Sequence, residues 1–374
     1  MTVSKSPSAG RLEQRLVPPP DTGTHLVLLG TRAGPHPELR ASAANALVVD
    51  GAIYIVDAGP GLIQRFFEAG LDFSRVRGMF ITHLHSDHIA DYFTFFNVNF
   101  PSWQPDSQRI PILGPGRADL SGPVSSRVPG MPDLPDTPVI APDQPTPGIV
   151  EMTDLLKQAY AFDLNNAIRT TRRPNGAPLA FTGETGNPMI VPQAVPTPPG
   201  AHVSNPSPLM DPVTVFEDDR VRVTATLVDH PPVFPAFAYR FDTPHCSVVF
   251  SGDTRPCANL ISIATGADVL VNEVVAVEEA VAMYEGTALA DTYRRQFLTA
   301  HTPLVSHGCP GDSDHVPGVG AVASAAEVRG LVLTHLYPAD ERVSDEQFHK
   351  GASSEFSGIV IVGDDLLQIN LGQI

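Results

Sequence analysis

Apolar residues along the chain occur either in short runs typical of buried strands or at the wider spacing of helices. Residues 26–30, 46–57 and 76–82 are runs of β-branched and other apolar residues, broken by Gly and Asp, and they predict strands. Residues 59–70 have helix-like spacing and a closing glycine, which predicts a helix. Residues 91–100 then carry five aromatic side chains.

Residues 101–216 differ from the rest of the chain, because they hold 22 of its 38 prolines. Proline removes a backbone donor and disfavours long ladders, so extended, loop-rich structure is expected here. One helix is predicted over residues 153–169, after a cap at Thr153. We interpret the segment as an insertion that covers one face of the domain, and a partly disordered surface loop is the alternative.

Regular structure returns from residue 221 onward. Strands are predicted at residues 221–228, 237–241, 247–251, 269–271, 331–334, 359–362 and 367–369, and a helix at residues 319–328. Strands mixed with helices in both halves, without an internal repeat, predict a single layered α/β domain over residues 1–374.

Composition and charge narrow the class of protein. The 374 residues are 42% hydrophobic and 17% charged, which suits a globular protein with a large core. The formal net charge is −17, so nucleic acid is expected to be an unlikely partner. No apolar run has the length of a signal peptide or membrane span, and Cys246, Cys257 and Cys309 match no disulfide framework. We therefore expect a cytoplasmic protein that makes no contact with a membrane.

The strongest chemical signal is the run His83-Leu84-His85-Ser86-Asp87-His88, which directly follows a predicted strand. His83 and His85 project to one side of an extended segment, whereas Asp87 and His88 belong to the turn after it. One hexapeptide therefore presents ligands to two neighbouring metals, and imidazole with carboxylate suits zinc and similar ions. A solvated polar turn is the alternative, but with only 13 histidines in the chain a chance cluster is disfavoured.

Three further polar residues each follow an apolar run. They are His230 after residues 224–228, Asp253 after residues 248–250, and His335 after residues 331–333. Each one alone is equally compatible with a surface residue at a strand end. Together they supply the histidines and the bridging carboxylate that the hexapeptide lacks.

These motifs resemble the metallo-β-lactamase superfamily, in particular its tRNase Z-like branch of ribonuclease Z and arylsulfatase-like hydrolases. The resemblance rests on the hexapeptide and on residues 29–31, 56–59, 251–256 and 333–335, and it covers residues 26–100 and 221–374. It implies an αββα sandwich in which the proline-rich residues 101–216 form an insertion over the active-site face. It also implies two Zn²⁺ ions as cofactors, with Mn²⁺ or Fe²⁺ as alternatives.

The resemblance also implies a role for each motif residue. One metal would be held by His83, His85 and His230, a second by Asp87, His88 and His335, and Asp253 would bridge both. Asp57 would orient a ligand histidine from behind, although a turn residue before Gly59 is an equal alternative.

Acid–base roles are less sharply defined by the sequence. Asp87 is implied to position the attacking water and accept its proton. His301 and His315 are the two candidates for the general acid. His301 has the family's following Thr but lies 34 positions before His335, whereas His315 lies 20 positions before it without that Thr. His301 is slightly favoured, and Glu273 resembles a family position near the site.

The substrate predicted from the sequence is a small organic ester, lactone, amide or sulfate ester. The alternative is a tRNase Z-like phosphodiesterase acting on tRNA 3′ ends or small phosphodiesters. The family's tRNA-binding arm usually lies between positions matching His230 and Asp253, and this chain is too short there to form one. A binding protein or an oxygen-reducing di-iron centre is disfavoured because His85 is kept. A homodimer is implied by the resemblance alone.

An apolar pocket over the metals would suit the small-molecule prediction. The aromatic candidates for its walls are Phe93, Phe95, Phe96, Trp103, Phe234 and Phe237, and ordinary core packing is the alternative for each of them.

Overall fold

Two seven-stranded sheets pack face to face in the computed structural model, which describes residues 17–34, 39–103, 109–118, 140–141, 143–171, 176, 179–181, 188–308, 311, 313 and 315–374. The first sheet has the order β14-β1-β2-β3-β4-β5-β6, and the second has the order β13-β12-β11-β10-β9-β8-β7. The strands are β1 Thr24–Gly30, β2 Ala44–Val49, β3 Ala52–Val56, β4 Val76–Phe80, β5 Ile110–Pro115, β6 Ile190–Val195, β7 Val213–Glu217, β8 Arg222–Leu227, β9 Phe237–Asp242, β10 Ser247–Phe250, β11 Val269–Val275, β12 Gly330–Tyr337, β13 Ile359–Val362 and β14 Gln368–Asn370.

Helices cover the outer faces of both sheets. They are α1 Leu62–Glu68, α2 Ser86–Ile89, α3 Tyr92–Asn99, α4 Ile149–Ala159, α5 Ala161–Thr170, α6 Ala258–Ala264, α7 Val277–Ala282, α8 Ala290–Ala300, α9 Val319–Ala325 and α10 Asp345–Ser353. Helices α1 and α3 pack on the first sheet, and helices α6, α9 and α10 pack on the second. The layers follow the order helix, sheet, sheet, helix, as expected for an αββα sandwich.

Strand β1 shows why its sequence is an unbroken apolar run. Leu26 and Leu28 face the second sheet, whereas Val27 and Leu29 face the outer helices. Alternate residues of a strand point to opposite faces, so a strand with cover on both sides needs apolar residues at every position. Each such fully buried side chain contributes roughly 1.5–3 kcal/mol to folding.

Two expected elements differ from the structure. The apolar run 46–57 is divided into β2 and β3 by a turn in which Asp50 and Gly51 both have positive φ. The helix expected over residues 153–169 is a pair, α4 and α5, and α4 begins at Ile149. Thr153 therefore lies inside α4, where its hydroxyl bonds to the Ile149 carbonyl, so the expectation of a cap at Thr153 was wrong.

The proline-rich residues 101–216 contribute to both sheets where the structure describes them. Strands β5 and β6 extend the first sheet in parallel pairing, and β7 lies at the edge of the second. Within this segment the helical pair α4–α5 packs beside β6 and β5. That it forms a cap over the active-site face stays a prediction. Cys309 lies outside the described residues, and no helix within them is long and apolar enough to cross a membrane.

Candidate metal centre

The expected ligand residues come from the carboxyl ends of strands in both sheets. β4 leads into His83, β8 leads into His230, and β10 leads into Asp253, while His335 lies near the end of β12. His335 has a φ of 47°, and Asp57, which follows β3, has a φ of 63°. Left-handed backbone at a non-glycine residue costs of order 1–3 kcal/mol, so the surrounding structure holds both residues in conformations they would otherwise avoid.

One group of donors consists of three histidines and one carboxylate. His83, His85, His230 and Asp253 each place a ligand atom within 4.8 Å of the others. The Nε2 atoms of His83 and His230 both lie 3.8 Å from Oδ2 of Asp253. Nδ1 of His85 lies 3.1 Å from Nε2 of His83 and 3.4 Å from Nε2 of His230. Three imidazole nitrogens beside a carboxylate oxygen are a suitable donor set for a divalent metal ion.

A second group lies on the other side of Asp253. It consists of Asp87, His88 and His335. Nε2 of His335 lies 3.4 Å from Oδ2 of Asp87 and 3.3 Å from Oδ2 of Asp253. Nε2 of His88 lies 3.2 Å from Oδ1 of Asp253. Asp253 therefore has an oxygen near each group, and the structure brings together all seven residues expected from the sequence.

Unpartnered buried atoms test whether the site fits a metal. Nε2 of His88 and Oδ1 of Asp253 are buried and face each other at 3.2 Å, but without the geometry of a hydrogen bond. Leaving such an atom unsatisfied costs roughly 1–3 kcal/mol. A cation bound by both atoms would remove that cost, so the residues present fit a metal centre.

The electrostatics of the site also favour a cation. Burial lowers the pKa of His83 well below its ordinary value and that of His230 to about 3, which keeps both imidazoles in the neutral form that binds metals. Burial opposes protonation of His335 too, but the neighbouring Asp253 carboxylate raises the pKa of His335 to about 10. The metal-free centre therefore holds a proton on His335 that a metal ion would replace.

Contacts behind the ligands fix the orientation of two rings. Oδ2 of Asp57 lies 2.9 Å from Nδ1 of His88, and the Asp57 carboxylate also accepts from the backbone and hydroxyl of Thr82. Nδ1 of His230 donates to the Ala300 carbonyl at 2.8 Å. A carbonyl or carboxylate can only accept, so Nδ1 carries the hydrogen and Nε2 faces the centre. Asp57 thus makes the contact that was expected of it.

Two glycines bring backbone close to Asp87. The Gly34 N–H donates to Oδ2 of Asp87 at 2.8 Å, and Gly34 has a φ of 82°. A Cβ on Gly59 would lie 2.0 Å from the Asp87 carbonyl oxygen. The sequence analysis missed the Gly34 contact, because nothing in the pattern of residues indicates which loop reaches across to the hexapeptide.

The two candidate general acids lie in different places. The His301 ring centroid is 4.9 Å from that of His230 and 6.1 Å from that of His335. His315 instead has its Nδ1 atom 3.4 Å from the Gly308 carbonyl and is not part of either donor group. Only His301 is therefore close enough to act on a substrate held at the centre.

Glu273 connects His301 to the rest of the site. Its side chain is fully buried, and its Oε2 atom lies 2.7 Å from Nδ1 of His301 and 3.6 Å from Nδ1 of His335. Its other carboxylate oxygen accepts from the backbone N–H of Thr254. Burial opposes protonation of His301, but the Glu273 carboxylate raises the pKa of His301 above its ordinary value.

A cavity of about 340 Å³ opens beside His85. Its walls are mainly apolar and include Leu84, Met152, Val203 and Phe234. Of the six aromatic residues considered for an apolar pocket, Phe234 lines this cavity. The other five, Phe93, Phe95, Phe96, Trp103 and Phe237, are buried in the cores on either side of the first sheet.

Comparison with known proteins identifies related chains and folds. A sequence model of the metallo-beta-lactamase superfamily matches residues 39–270. The chain is 28% identical to "Ribonuclease Z" of Mycobacterium avium over 348 residues, which cover 92% of this chain and 98% of that protein. It is 27% identical to "Ribonuclease Z" of Mycobacterium tuberculosis strain H37Rv over 349 residues, with coverage of 92% and 97%.

Two solved structures share the fold at low identity. The short form of human tRNase Z matches with a TM-score of 0.53 and 17% identity, over 93% of this chain and 99% of that one. Zn²⁺-bound PqqB from Methylobacterium extorquens matches with a TM-score of 0.55 and 12% identity, over 92% and 99%.

These relatives correct the expectation that nucleic acid is an unlikely partner. That expectation was wrong, because the proteins that match nearly the whole chain are named as ribonucleases. The net charge of −17 averages over the entire surface, and it says little about the field within one cleft.

Proposed function

Since the chain belongs to the metallo-β-lactamase superfamily, in its tRNase Z-like branch, and is a metal-dependent hydrolase, we propose that it is a phosphodiesterase that cleaves tRNA precursors at their 3′ ends. The observation that carries this proposal is the position of Asp253, which has an oxygen near each of two donor groups. The names of the relatives that span the chain support RNA as the substrate.

We assign two zinc ions to the centre. One would be held by His83, His85 and His230, the other by Asp87, His88 and His335, and Asp253 would contact both. Mixed imidazole and carboxylate donors suit zinc, and Mn²⁺ or Fe²⁺ are alternatives with the same ligands. A carboxylate shared between two cations offsets part of their repulsion and uses both of its oxygens.

When bound, the metal pair would activate a water molecule and polarise the scissile phosphate. The Gly34 N–H holds one carboxylate oxygen of Asp87, and Asp87 would orient the water and accept its proton. Oxygen from water then joins phosphorus as the bond to the leaving oxygen breaks. His301 would donate a proton to that leaving oxygen from Nε2, because its Nδ1 is engaged by Glu273. Glu273 acts as a positioning residue, since it reaches the substrate only through His301.

A second candidate function is hydrolysis of a small organic ester or lactone. It is favoured by one observation, the mainly apolar cavity of about 340 Å³ beside His85. That volume lies within the range typical of small-molecule sites. The same donor groups would serve this reaction, so the two candidates differ only in the substrate.

The test compares substrates and two aspartate variants. Metal content and turnover are measured for the wild type, Asp87→Asn and Asp91→Asn, with precursor tRNA, bis-p-nitrophenyl phosphate and a series of p-nitrophenyl esters. Asp91 is the matched control, because its carboxylate accepts from the Gly61 and Ile63 N–H groups and is not in either donor group. We expect about two zinc ions per chain, 3′ cleavage of precursor tRNA, and loss of at least about 100-fold in Asp87→Asn alone.

Other outcomes separate the candidates. Ester hydrolysis that exceeds tRNA cleavage and depends on Asp87 would select the second function. Absence of bound metal in the active wild type would contradict both.

A further inference from the structure

Arg32 lies in a short segment that contacts both the strand carrying His335 and the side chain of Asp87. Its backbone pairs with Ser42 on one side and with Leu336, the neighbour of His335, on the other. Two residues later, the Gly34 N–H donates to the Asp87 carboxylate. The Arg32 backbone therefore lies next to β12, which carries His335, and two residues before the contact with Asp87.

Two of the three guanidinium nitrogens of Arg32 have no hydrogen-bond partner among the described residues. Its Nε and Nη1 atoms are buried and make no hydrogen bond, and it takes part in no ion pair among the described residues. Most other described arginines lie within ion-pair distance of a carboxylate, namely Arg40, Arg65, Arg75, Arg220, Arg240, Arg255, Arg294, Arg329 and Arg342. In a chain with 41 acidic residues, an arginine without an ion-pair partner on a segment that adjoins the candidate metal centre is unusual.

Enclosing guanidinium nitrogens without an acceptor is unfavourable, since these groups lose water and gain nothing in return. Guanidinium is also the side chain best suited to phosphate, because its N–H fork can donate two bonds to one group. Residues that reduce stability without an internal partner are commonly retained for function.

We infer that Arg32 binds a phosphate group of the RNA substrate adjacent to the scissile one. The inference rests on the proposed phosphodiesterase function and names the residue that supplies local positive charge for it. The backbone pairing with Leu336 and the Gly34 contact fix the segment relative to His335 and Asp87, so a phosphate bound by Arg32 would set the register of the RNA on the metal centre.

The experiment measures RNA binding and thermal stability in Arg32→Met and in a matched variant, Arg222→Met. Among the described residues, the Arg222 guanidinium bonds to the Thr214 hydroxyl alone, and Arg222 stands at the start of β8, whose far end leads to the centre. Both variants lower the net charge equally, so a general charge effect would appear in both. The ligand is precursor tRNA with a non-hydrolysable linkage at the cleavage site, titrated between about 50 and about 200 mM salt.

For Arg32→Met we expect a Kd at least about tenfold higher than that of the wild type. The slope of log affinity against log salt concentration should be smaller in magnitude by about 0.7, as expected for the loss of one phosphate contact. Its loss of turnover should be larger on precursor tRNA than on bis-p-nitrophenyl phosphate, which has no flanking phosphate. The Tm should stay equal or rise, because an apolar side chain replaces an unpartnered cation. Arg222→Met should change the Kd less than twofold.

Several results would overturn the inference. Equal Kd values for Arg32→Met and wild type would do so whatever the cleavage assay shows. A fall in Tm with Kd values matching those of Arg222→Met would indicate a structural role instead. An Arg32-dependent Tm increase with inorganic phosphate but not with RNA would contradict RNA as the source of the phosphate. Arg32-dependent RNA binding by a protein that does not cleave RNA would contradict the proposed function and leave the inference standing.

Discussion

Replacing His301 with Asn tests the assignment of the general acid. Nδ1 of His301 lies 2.7 Å from Oε2 of the fully buried Glu273, so removing the ring without a substitute donor would leave that oxygen unpaired. The amide of Asn can donate to the same oxygen, which keeps Glu273 satisfied and limits the effect on folding. Asn cannot protonate a leaving group. The variant therefore removes the proton donor and keeps the local hydrogen bond.

The size of the expected effect depends on the leaving group. Proton transfer by a positioned side chain contributes about 10²–10⁴-fold, or ~2.7–5.4 kcal/mol of barrier. A ribose oxygen is a strong base when it leaves, so RNA cleavage should fall by that full amount. p-Nitrophenolate is a weak base that needs no proton, so cleavage of bis-p-nitrophenyl phosphate should fall only several-fold.

The assay is kcat on both substrates for the wild type, His301→Asn and His315→Asn, with metal content measured in each. His315 is the matched control, because its Nδ1 atom lies near the Gly308 carbonyl and outside the donor groups. Equal losses on both substrates would refute the reasoning and indicate that His301 acts on the metals. A larger leaving-group-dependent loss in His315→Asn would move the acid role to that residue.

Four further predictions concern the metals and the packing around them. Asp57→Asn should weaken zinc affinity about 10–100-fold, because the Asp57 carboxylate orients the ring of His88. Zinc affinity is measured by competition with a chelator, and the control variant Asp91→Asn should leave it unchanged. Chelation should lower the Tm, since metal at about 100 times its Kd stabilises the fold by ~2.7 kcal/mol. The zinc affinity should fall as pH falls, because the pKa of His335 in the metal-free centre is about 10 and the proton on its ring must leave before the metal binds. A zinc affinity that does not change with pH would contradict this prediction. Gly59→Ala should destabilise the protein by several kcal/mol in urea unfolding, since its Cβ would meet the Asp87 carbonyl oxygen at 2.0 Å.

The sequence predicted which residues come together because several of the candidate ligands follow buried strands, and the family resemblance implied how they would divide between two metals. His230, Asp253 and His335 follow apolar runs that become β8, β10 and β12, and the ends of neighbouring strands meet at one edge of a sheet. Neither the prediction of a strand from an apolar run nor the rule that strand ends meet at one edge of a sheet requires knowledge of contacts between distant segments. The family resemblance, and not the strand pattern, implied that Asp57 would orient a ligand histidine, and its carboxylate contacts His88.

Features that depend on contacts between distant segments could not be predicted in this way. The spacing of His301 and His315 from His335 left the general acid open, and only the folded positions of the two rings relative to the donor groups distinguish them. Thr153 was expected to cap a helix, yet it lies inside one, because α4 starts a turn earlier than the apolar pattern indicated. Apolar spacing locates the buried face of a helix better than it locates the helix ends.

The expectation that nucleic acid is an unlikely partner was wrong for a physical reason, which is the location of some of the negative charges. Four carboxylates, those of Asp57, Asp87, Asp253 and Glu273, contribute to the net charge of −17 although they surround the proposed metals. Two divalent cations would offset all four, and most described arginines already lie beside surface acids elsewhere. Under the proposed function, the field that a phosphate meets at the cleft would be set by the metals and by Arg32, while the acidic average describes the rest of the surface. An acidic chain can act on RNA where bound cations neutralise the carboxylates of its active site, and a net charge calculated without those cations overstates the negative charge that the RNA meets there.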